Sequence, residues 1–158
     1  MPETSIRSAT VDDATDCSAI LCDSIRTLCV PDHENNDQVL NQWLSNKTPD
    51  VLLQWIQAPS TEIYVVERNG EIVGVGGILR RGEVALNYVS PGARFSGVSR
   101  QLLTHMEAAL QAFGIPTGTL TSTKTAHRFY RAAGWHDVGE PQQWGDLTAF
   151  PMEKSLEA

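Results

Sequence analysis

Apolar residues in the first part of the chain recur at the three- and four-residue spacing of an amphipathic helix. After a short extended segment at 6–9, the apolar face of this helix comprises Cys17, Ile20, Leu21, Ile25 and Leu28. We expect Thr10 or Asp12 to cap its N-terminus, because short polar side chains satisfy the free N–H groups there. Pro31 is expected to end it, since proline cannot continue the hydrogen-bond ladder of a helix.

Two shorter helices are predicted before the pattern changes. A polar, turn-forming stretch at 31–36 separates them from the first helix. One then runs through 39–44 and breaks before Pro49, because the residue preceding a proline disfavours helical geometry. The other is capped by Asp50 and continues to residue 56.

The middle of the chain contains β-branched runs of strand length. The runs 63–67 and 72–79 are separated by Asn69-Gly70, the dipeptide most typical of a two-residue hairpin turn. A third run at 84–89 is stopped by Pro91, which has no N–H to donate. These features predict an antiparallel hairpin followed by a third strand.

The rest of the chain alternates between helices and strands. The next helix buries Leu102, Leu103, Met106, Leu110 and Phe113, with Gly114 just beyond its end. A strand at 119–122, a short helix at 126–133 and a closing strand pair at 135–138 and 147–153 follow. The order predicts an α/β sandwich of one mixed sheet, with residues 1–158 forming a single domain.

The turn between the third strand and its following helix is suited to an anion. A helix start leaves about four backbone N–H groups unpaired and carries a partial positive charge. Gly97 lets a ligand approach the backbone closely, and Arg94 adds a charged fork that matches phosphate oxygens. A phosphate-bearing ligand is therefore predicted. No Gly-x-Gly-x-x-Gly and no Gly-Lys-Ser/Thr is present, which argues against a Rossmann site and a P-loop.

Arg94-Phe95-Ser96-Gly97-Val98-Ser99 resembles the coenzyme A loop of the GNAT superfamily of acetyl-CoA-dependent N-acetyltransferases, Gln/Arg-x-x-Gly-x-Gly/Ala. Ser99 departs from that pattern and is expected to donate a hydrogen bond to the phosphates. Further on, the segment 126–135, Ala-His-Arg-Phe-Tyr-Arg-Ala-Ala-Gly-Trp, is similar to the family's Ala-x-x-Phe-Tyr-x-x-x-Gly-Phe. Thr123 stands where the family commonly carries asparagine.

The resemblance implies a mixed, mostly antiparallel twisted sheet with helices on both faces and two parallel strands splayed apart at the acetyl-CoA site. An N–H near Val89 would bind the thioester carbonyl, and Tyr130 would protonate the departing thiolate. The alternative is that Val89 and Tyr130 are core residues, and for Val89 both roles can hold at once. The residues implied to bind the coenzyme are Tyr88, Val89, Arg94, Phe95, Ser96, Gly97, Val98, Ser99, Thr123 and Ala126.

Three residues are candidates for contacting the acceptor amine. Asp32 and His33 follow the first helix, where the resemblance puts the acceptor pocket, and Asn87 faces the gap between the splayed strands. As turn residues, Asp32 and His33 can also simply be solvent-exposed. The sequence does not identify a general base.

Composition narrows the choice of partners. The net charge of −7 argues against a nucleic-acid binder, which displays a basic face to phosphates. The histidines and the three cysteines lack metal-binding spacing, so no metal is expected and the thiols are taken as reduced. No run is apolar enough for a membrane span or secretory leader, which makes the cytoplasm the expected location. The resemblance allows a homodimer.

Two functions remain open from the sequence. The first is transfer of an acetyl group from acetyl-CoA to a primary amine of a small molecule, by direct attack in a ternary complex. The second is a coenzyme A-binding sensor or interaction module without turnover, which Ser99 and Thr123 favour because both depart from the family pattern.

Overall fold

The computed structural model describes residues 4–157. Within them one sheet runs in the order β1-β2-β3-β4-β5-β8-β6, and β7 pairs with β8 outside this order. Of these neighbouring pairs, β4 and β5 are parallel and the rest antiparallel. The strands are β1 (Thr4–Ser8), β2 (Thr61–Arg68), β3 (Glu71–Leu79), β4 (Glu83–Val89), β5 (Thr117–Ser122), β6 (His136–Asp137), β7 (Gln142–Trp144) and β8 (Leu147–Ser155).

Helices cover both faces of this sheet, which confirms the predicted fold class. Their bounds are α1 (Ala14–Leu28), α2 (Val30–His33), α3 (Asp37–Leu44), α4 (Pro49–Gln57), α5 (Val98–Ala112) and α6 (Lys124–Ala132). One apolar cluster joins the sheet to α5 and the end of α6, and a second joins it to α1 and α4. Burial of these two faces drives the sandwich together.

Glycines in β3 bring α5 close to the sheet. A Cβ at Gly74 would lie 2.7 Å from Val98 Cγ1, and one at Gly76 would lie 2.9 Å from Leu102 Cδ2. Any side chain there would push the helix outward. The two glycines thus fix where the N-terminus of α5 lies above the strand ends.

Three local expectations are wrong. Phe113, expected on the buried face of α5, is 45% exposed. Pro31 does not open a polar turn but lies in the first turn of α2, where its missing N–H has no intrahelical role. The cap of α4 is Thr48, whose hydroxyl accepts from the Val51 N–H at 3.3 Å, and Asp50 lies in the first turn instead. Strand β7 was not predicted, because its Gln-Gln-Trp sequence has no apolar alternation.

Strands β4 and β5 pair at one position and then separate. Glu83 lies opposite Thr119, and the Thr119 N–H donates to the Gly82 carbonyl at 2.9 Å. On its other side β4 stays paired with β3 as far as Val89, with Ala85 as an extra, bulged residue. The predicted splay of two parallel strands is therefore present.

Candidate active site

The gap between β4 and β5 holds a cavity of about 310 Å³. Its walls come from both strands, the N-terminal turn of α5, one face of α6 and the C-terminal end of α1. Eleven of the predicted site residues line it: Asn87, Tyr88, Val89, Arg94, Phe95, Gly97, Val98, Ser99, Thr123, Ala126 and Tyr130. Three others, Asp32, His33 and Ser96, are not among the lining residues.

The Val89 N–H is directed into the gap. Val89 lies opposite Gly74 of β3, while the next N–H, that of Ser90, donates to the Val73 carbonyl at 2.8 Å. Successive N–H groups of a strand point to opposite edges, so the Val89 N–H points away from β3. This edge faces the gap because β5 has already diverged. A backbone donor is thus available to a carbonyl oxygen bound there.

The loop before α5 presents its backbone to the cavity. Gly97 is the N-cap of α5 with a φ of +84°, a conformation that favours glycine, and a Cβ built on it meets no atom within 4 Å. The first intrahelical bond is donated by Gln101 to the Gly97 carbonyl. The N–H groups of Val98, Ser99 and Arg100 precede that bond and are free for an anion.

Ser96 braces this loop from outside the cavity. Its hydroxyl donates to the Ala93 carbonyl and accepts from the Arg68 guanidinium at 3.2 Å. The side chain therefore connects the loop to β2, and any ligand contact of Ser96 would have to come from its backbone.

Positive charge at the cavity comes from two arginines. Arg94 and Arg100 line the cavity, and among the residues described no other charged side chain does. Their guanidinium carbons lie 4.5 Å from the Phe95 ring centroid and 6.0 Å from that of Phe129, respectively. An anionic ligand is thus matched locally despite the acidic composition of the whole chain.

Tyr130 lies on the inner face of α6 and is both a core and a cavity residue. It is buried, with its ring packed edge-to-face on Phe129 and Trp135. Burial raises the pKa of its hydroxyl to about 12, with a smaller opposing effect from the adjoining Asn87 side chain. The hydroxyl therefore stays protonated at neutral pH and is a hydrogen-bond donor to the cavity.

Asn87 adjoins Tyr130 and contacts the anion-binding turn. Its Nδ2 donates to the Ser99 carbonyl at 3.4 Å. Its Oδ1 is buried without a hydrogen-bond partner among the atoms described. Such an orphaned acceptor is costly in a folded protein, which points to a donor supplied by a ligand.

Thr123 has a local role that the sequence comparison with the family could not show. Its hydroxyl accepts from the Ala126 N–H at 3.1 Å and caps α6. The replacement of the family's usual asparagine is thus accommodated by an ordinary N-cap. Thr123 still lines the cavity, beside Ala126.

Asp32 and His33 are buried, which excludes the alternative that they are solvent-facing turn residues. The Asp32 carboxylate accepts from the N–H groups of Lys124 and Thr125 at 2.7 and 3.1 Å, and from the Thr125 hydroxyl. His33 Nε2 donates to the Ile25 carbonyl at 2.8 Å, and its Nδ1 accepts from the Asn35 N–H at 3.0 Å. Both side chains are engaged by backbone groups.

The sequence missed the contribution of α1 to the cavity. Ser24, Leu28 and Cys29 lie on its wall. Burial, followed by the nearby Asp32 charge, raises the pKa of the Cys29 thiol to about 12, so the reactive thiolate is disfavoured. The apolar face predicted for α1 included Leu28, but nothing in a single helix tells which of its residues will face a gap in the sheet.

Two further properties bear on the kind of protein. The residues described contain no group of three or more His, Cys, Asp or Glu side chains that could hold a metal ion. None of the helices described has both the length and the hydrophobicity needed to cross a bilayer.

Three solved structures share this fold over nearly their whole length. A GCN5-related N-acetyltransferase from Rhodopseudomonas palustris is 19% identical, with 98% of this chain and 97% of that chain covered and a TM-score of 0.86. The PaiA N-acetyltransferase of Thermoplasma acidophilum, in complex with coenzyme A, is 16% identical, with 97% and 99% covered and a TM-score of 0.82. YncA from Salmonella typhimurium, with its cofactor acetyl-CoA, is 19% identical, with 99% and 95% covered and a TM-score of 0.74.

At the level of sequence, no curated protein matches the chain. A family model does match, and it covers both the diverging strands and the loop before α5. The matching model describes the acetyltransferase (GNAT) domain and spans residues 29–156, so the chain belongs to this family.

Proposed function

We propose that the protein transfers the acetyl group of acetyl-CoA to a primary amine of a small molecule. Acetyl-CoA is the coenzyme of the family to which the chain belongs, as the sequence predicted. The observation that carries the proposal is the cavity itself. It joins an anion-binding turn at Gly97, a backbone donor at Val89 and a protonated hydroxyl at Tyr130.

Direct attack in a ternary complex suits this arrangement. The amine nitrogen bonds to the thioester carbonyl carbon while the Val89 N–H stabilises the negative charge on the oxygen. The C–S bond then breaks, and the sulfur takes the proton of the Tyr130 hydroxyl. The amine gives up its proton to water, and water returns a proton to the Tyr130 oxygen. Asn87 Oδ1 accepts an N–H of the incoming amine.

A covalent cysteine mechanism is disfavoured by the state of the thiols. Cys29 is the cysteine on the cavity wall, and its pKa is raised to about 12. Cys17 is fully buried on α1, where burial likewise raises its pKa to about 12. Neither thiol is activated as a nucleophile. The proposal therefore needs no acetyl-enzyme intermediate.

The proposal is tested by offering acetyl-CoA with a panel of primary amines and measuring release of free thiol. A transferase releases thiol in proportion to acetylated amine, which mass spectrometry identifies. Binding of acetyl-CoA without thiol release from any amine would favour the coenzyme A-binding sensor instead. Absence of any acetyl-CoA binding, measured as a shift in melting temperature, would contradict both.

Replacing Gly97 by alanine is expected to weaken coenzyme binding about tenfold or more. The φ of +84° strains any other residue, and the open space above its Cα is where a phosphate would approach the backbone. Gly114→Ala is the matched control, because Gly114 ends the same helix with a φ of +82° and the same open surroundings. Both variants should lose similar stability, but only Gly97→Ala should lose affinity in isothermal titration. If Gly97→Ala bound the coenzyme as tightly as Gly114→Ala, a phosphate at Gly97 would be contradicted.

The pH dependence of the reaction should follow the amine rather than the protein. Among the residues described, the cavity walls include no carboxylate and no imidazole, and Tyr130 stays protonated up to a pKa of about 12. At saturating acetyl-CoA, kcat/KM should rise about tenfold per pH unit below the pKa of the amine and level off above it. Two acceptors with pKa values about two units apart should show inflections equally far apart. A fixed inflection between about pH 6 and 9 for both acceptors would reveal a base on the protein.

A further inference from the structure

Phe95 is the most exposed large apolar residue of the described chain, and it lies at the mouth of the cavity. Its relative exposure is 91%, and it belongs to neither apolar cluster. The other three phenylalanines are less exposed: Phe113 is 45% exposed, and Phe129 and Phe150 are half-buried against Tyr130 and His127, respectively. Packing of the core therefore does not explain why position 95 carries an aromatic ring.

The backbone at Phe95 adds a second observation. Its φ is +63°, a left-handed conformation that is unfavourable for a bulky side chain. This geometry follows directly on Arg94, whose φ of −58° and ψ of 142° are close to polyproline II. The ring is held by the loop in a strained conformation and in contact with solvent. Such strain in a binding loop is typical of residues that a ligand engages.

The surroundings of the Phe95 ring indicate which kind of ligand would bind against it. The guanidinium carbon of Arg94 lies 4.5 Å from the ring centroid and places a positive charge beside the exposed ring. Two residues further on is Gly97, whose helix offers free N–H groups to a phosphate. A ring placed this close to a phosphate site suits a ligand that carries a flat, π-rich group next to its phosphates.

We infer that Phe95 forms a subsite for the adenine base of the coenzyme, stacking on it at the outer edge of the cavity. This inference rests on the proposed function, because it takes coenzyme A as the ligand. With a phosphate on the free N–H groups at the start of α5, Phe95 lies two residues before the Gly97 N-cap and lines the same cavity, so its ring is within reach of a group attached to that phosphate. Stacking would cover a ring that the protein leaves open.

The test compares coenzyme A with pantetheine 4′-phosphate, which lacks the adenosine half, by titration against wild type and three variants. Phe95→Leu keeps an apolar side chain at the same φ but has no π-face, and it should bind coenzyme A about tenfold more weakly. Its affinity for pantetheine 4′-phosphate should equal that of wild type. Phe95→Trp should bind coenzyme A as tightly as wild type. Phe113→Leu, at the far end of α5, should change neither affinity.

Three results would overturn the inference. Unchanged coenzyme A affinity in Phe95→Leu would remove the stacking contact. Equal weakening for both ligands would mean that Phe95 acts through the shape of the loop rather than through the base. Failure of the wild-type protein to bind coenzyme A would overturn the proposed function as well. Weaker binding in Phe95→Leu alone leaves the proposed function intact, so the two failures can be told apart.

Discussion

Tyr130→Phe is expected to lower kcat about 100-fold or more while leaving the affinity for acetyl-CoA unchanged. General acid catalysis by a positioned side chain typically contributes a factor of this size or larger. The variant keeps the aromatic ring and hence its packing on Phe129 and Trp135, but it removes the proton that the departing sulfur would take. Steady-state kinetics at saturating amine, with titration of the coenzyme, separate the two quantities.

Two other tyrosines provide a control and an alternative proton donor for this experiment. Tyr64→Phe is the matched control. Tyr64 has a similar exposure to Tyr130, but it lies on β2, packs on His105 of α5 and does not line the cavity. Its kcat should stay within about twofold of wild type. Tyr88 lines the same cavity, and burial raises its pKa well above the ordinary value. If Tyr88→Phe lost activity and Tyr130→Phe did not, the proton donor would be Tyr88.

Local sequence patterns predicted the elements that carry the site. Asn69-Gly70 predicted the β2–β3 hairpin, and both residues have the positive φ of a tight hairpin turn. The loop from Arg94 to Ser99 lies at the start of α5, as the coenzyme-loop resemblance implied. These features depend on residues close together in sequence, which is why short motifs and periodicity find them.

Contacts between distant segments were not predictable in the same way. Asp32 accepts hydrogen bonds from the start of α6, which lies more than ninety positions further along the chain. No short-range sequence pattern predicts a contact between segments so far apart. Cys29 lies on the cavity wall because β4 and β5 separate beneath the end of α1. The role of Asn87 depends on the Ser99 carbonyl twelve positions away, which only the folded sheet brings near.

Asp32→Ala should destabilise the protein by about 3 kcal/mol, or roughly 6–12 °C in melting temperature. The carboxylate accepts from two N–H groups and one hydroxyl at the N-terminus of α6, and it is only 8% exposed. Removing it leaves those donors without their acceptor in a largely dry site. Asp50→Ala, in the exposed first turn of α4, is the matched control and should change the free energy of unfolding by less than about 1 kcal/mol.

The same substitution decides between a structural and an acceptor-binding role for Asp32. Because α6 carries Tyr130, loosening its N-terminus should lower kcat along with stability, and Asp32→Asn should recover part of both through one remaining carbonyl oxygen. An acceptor-binding carboxylate would behave differently, since alanine and asparagine would both raise the KM for the amine and leave unfolding unchanged. Chemical denaturation and amine KM, measured on the two variants, therefore show whether Asp32 holds α6 in place or contacts the substrate.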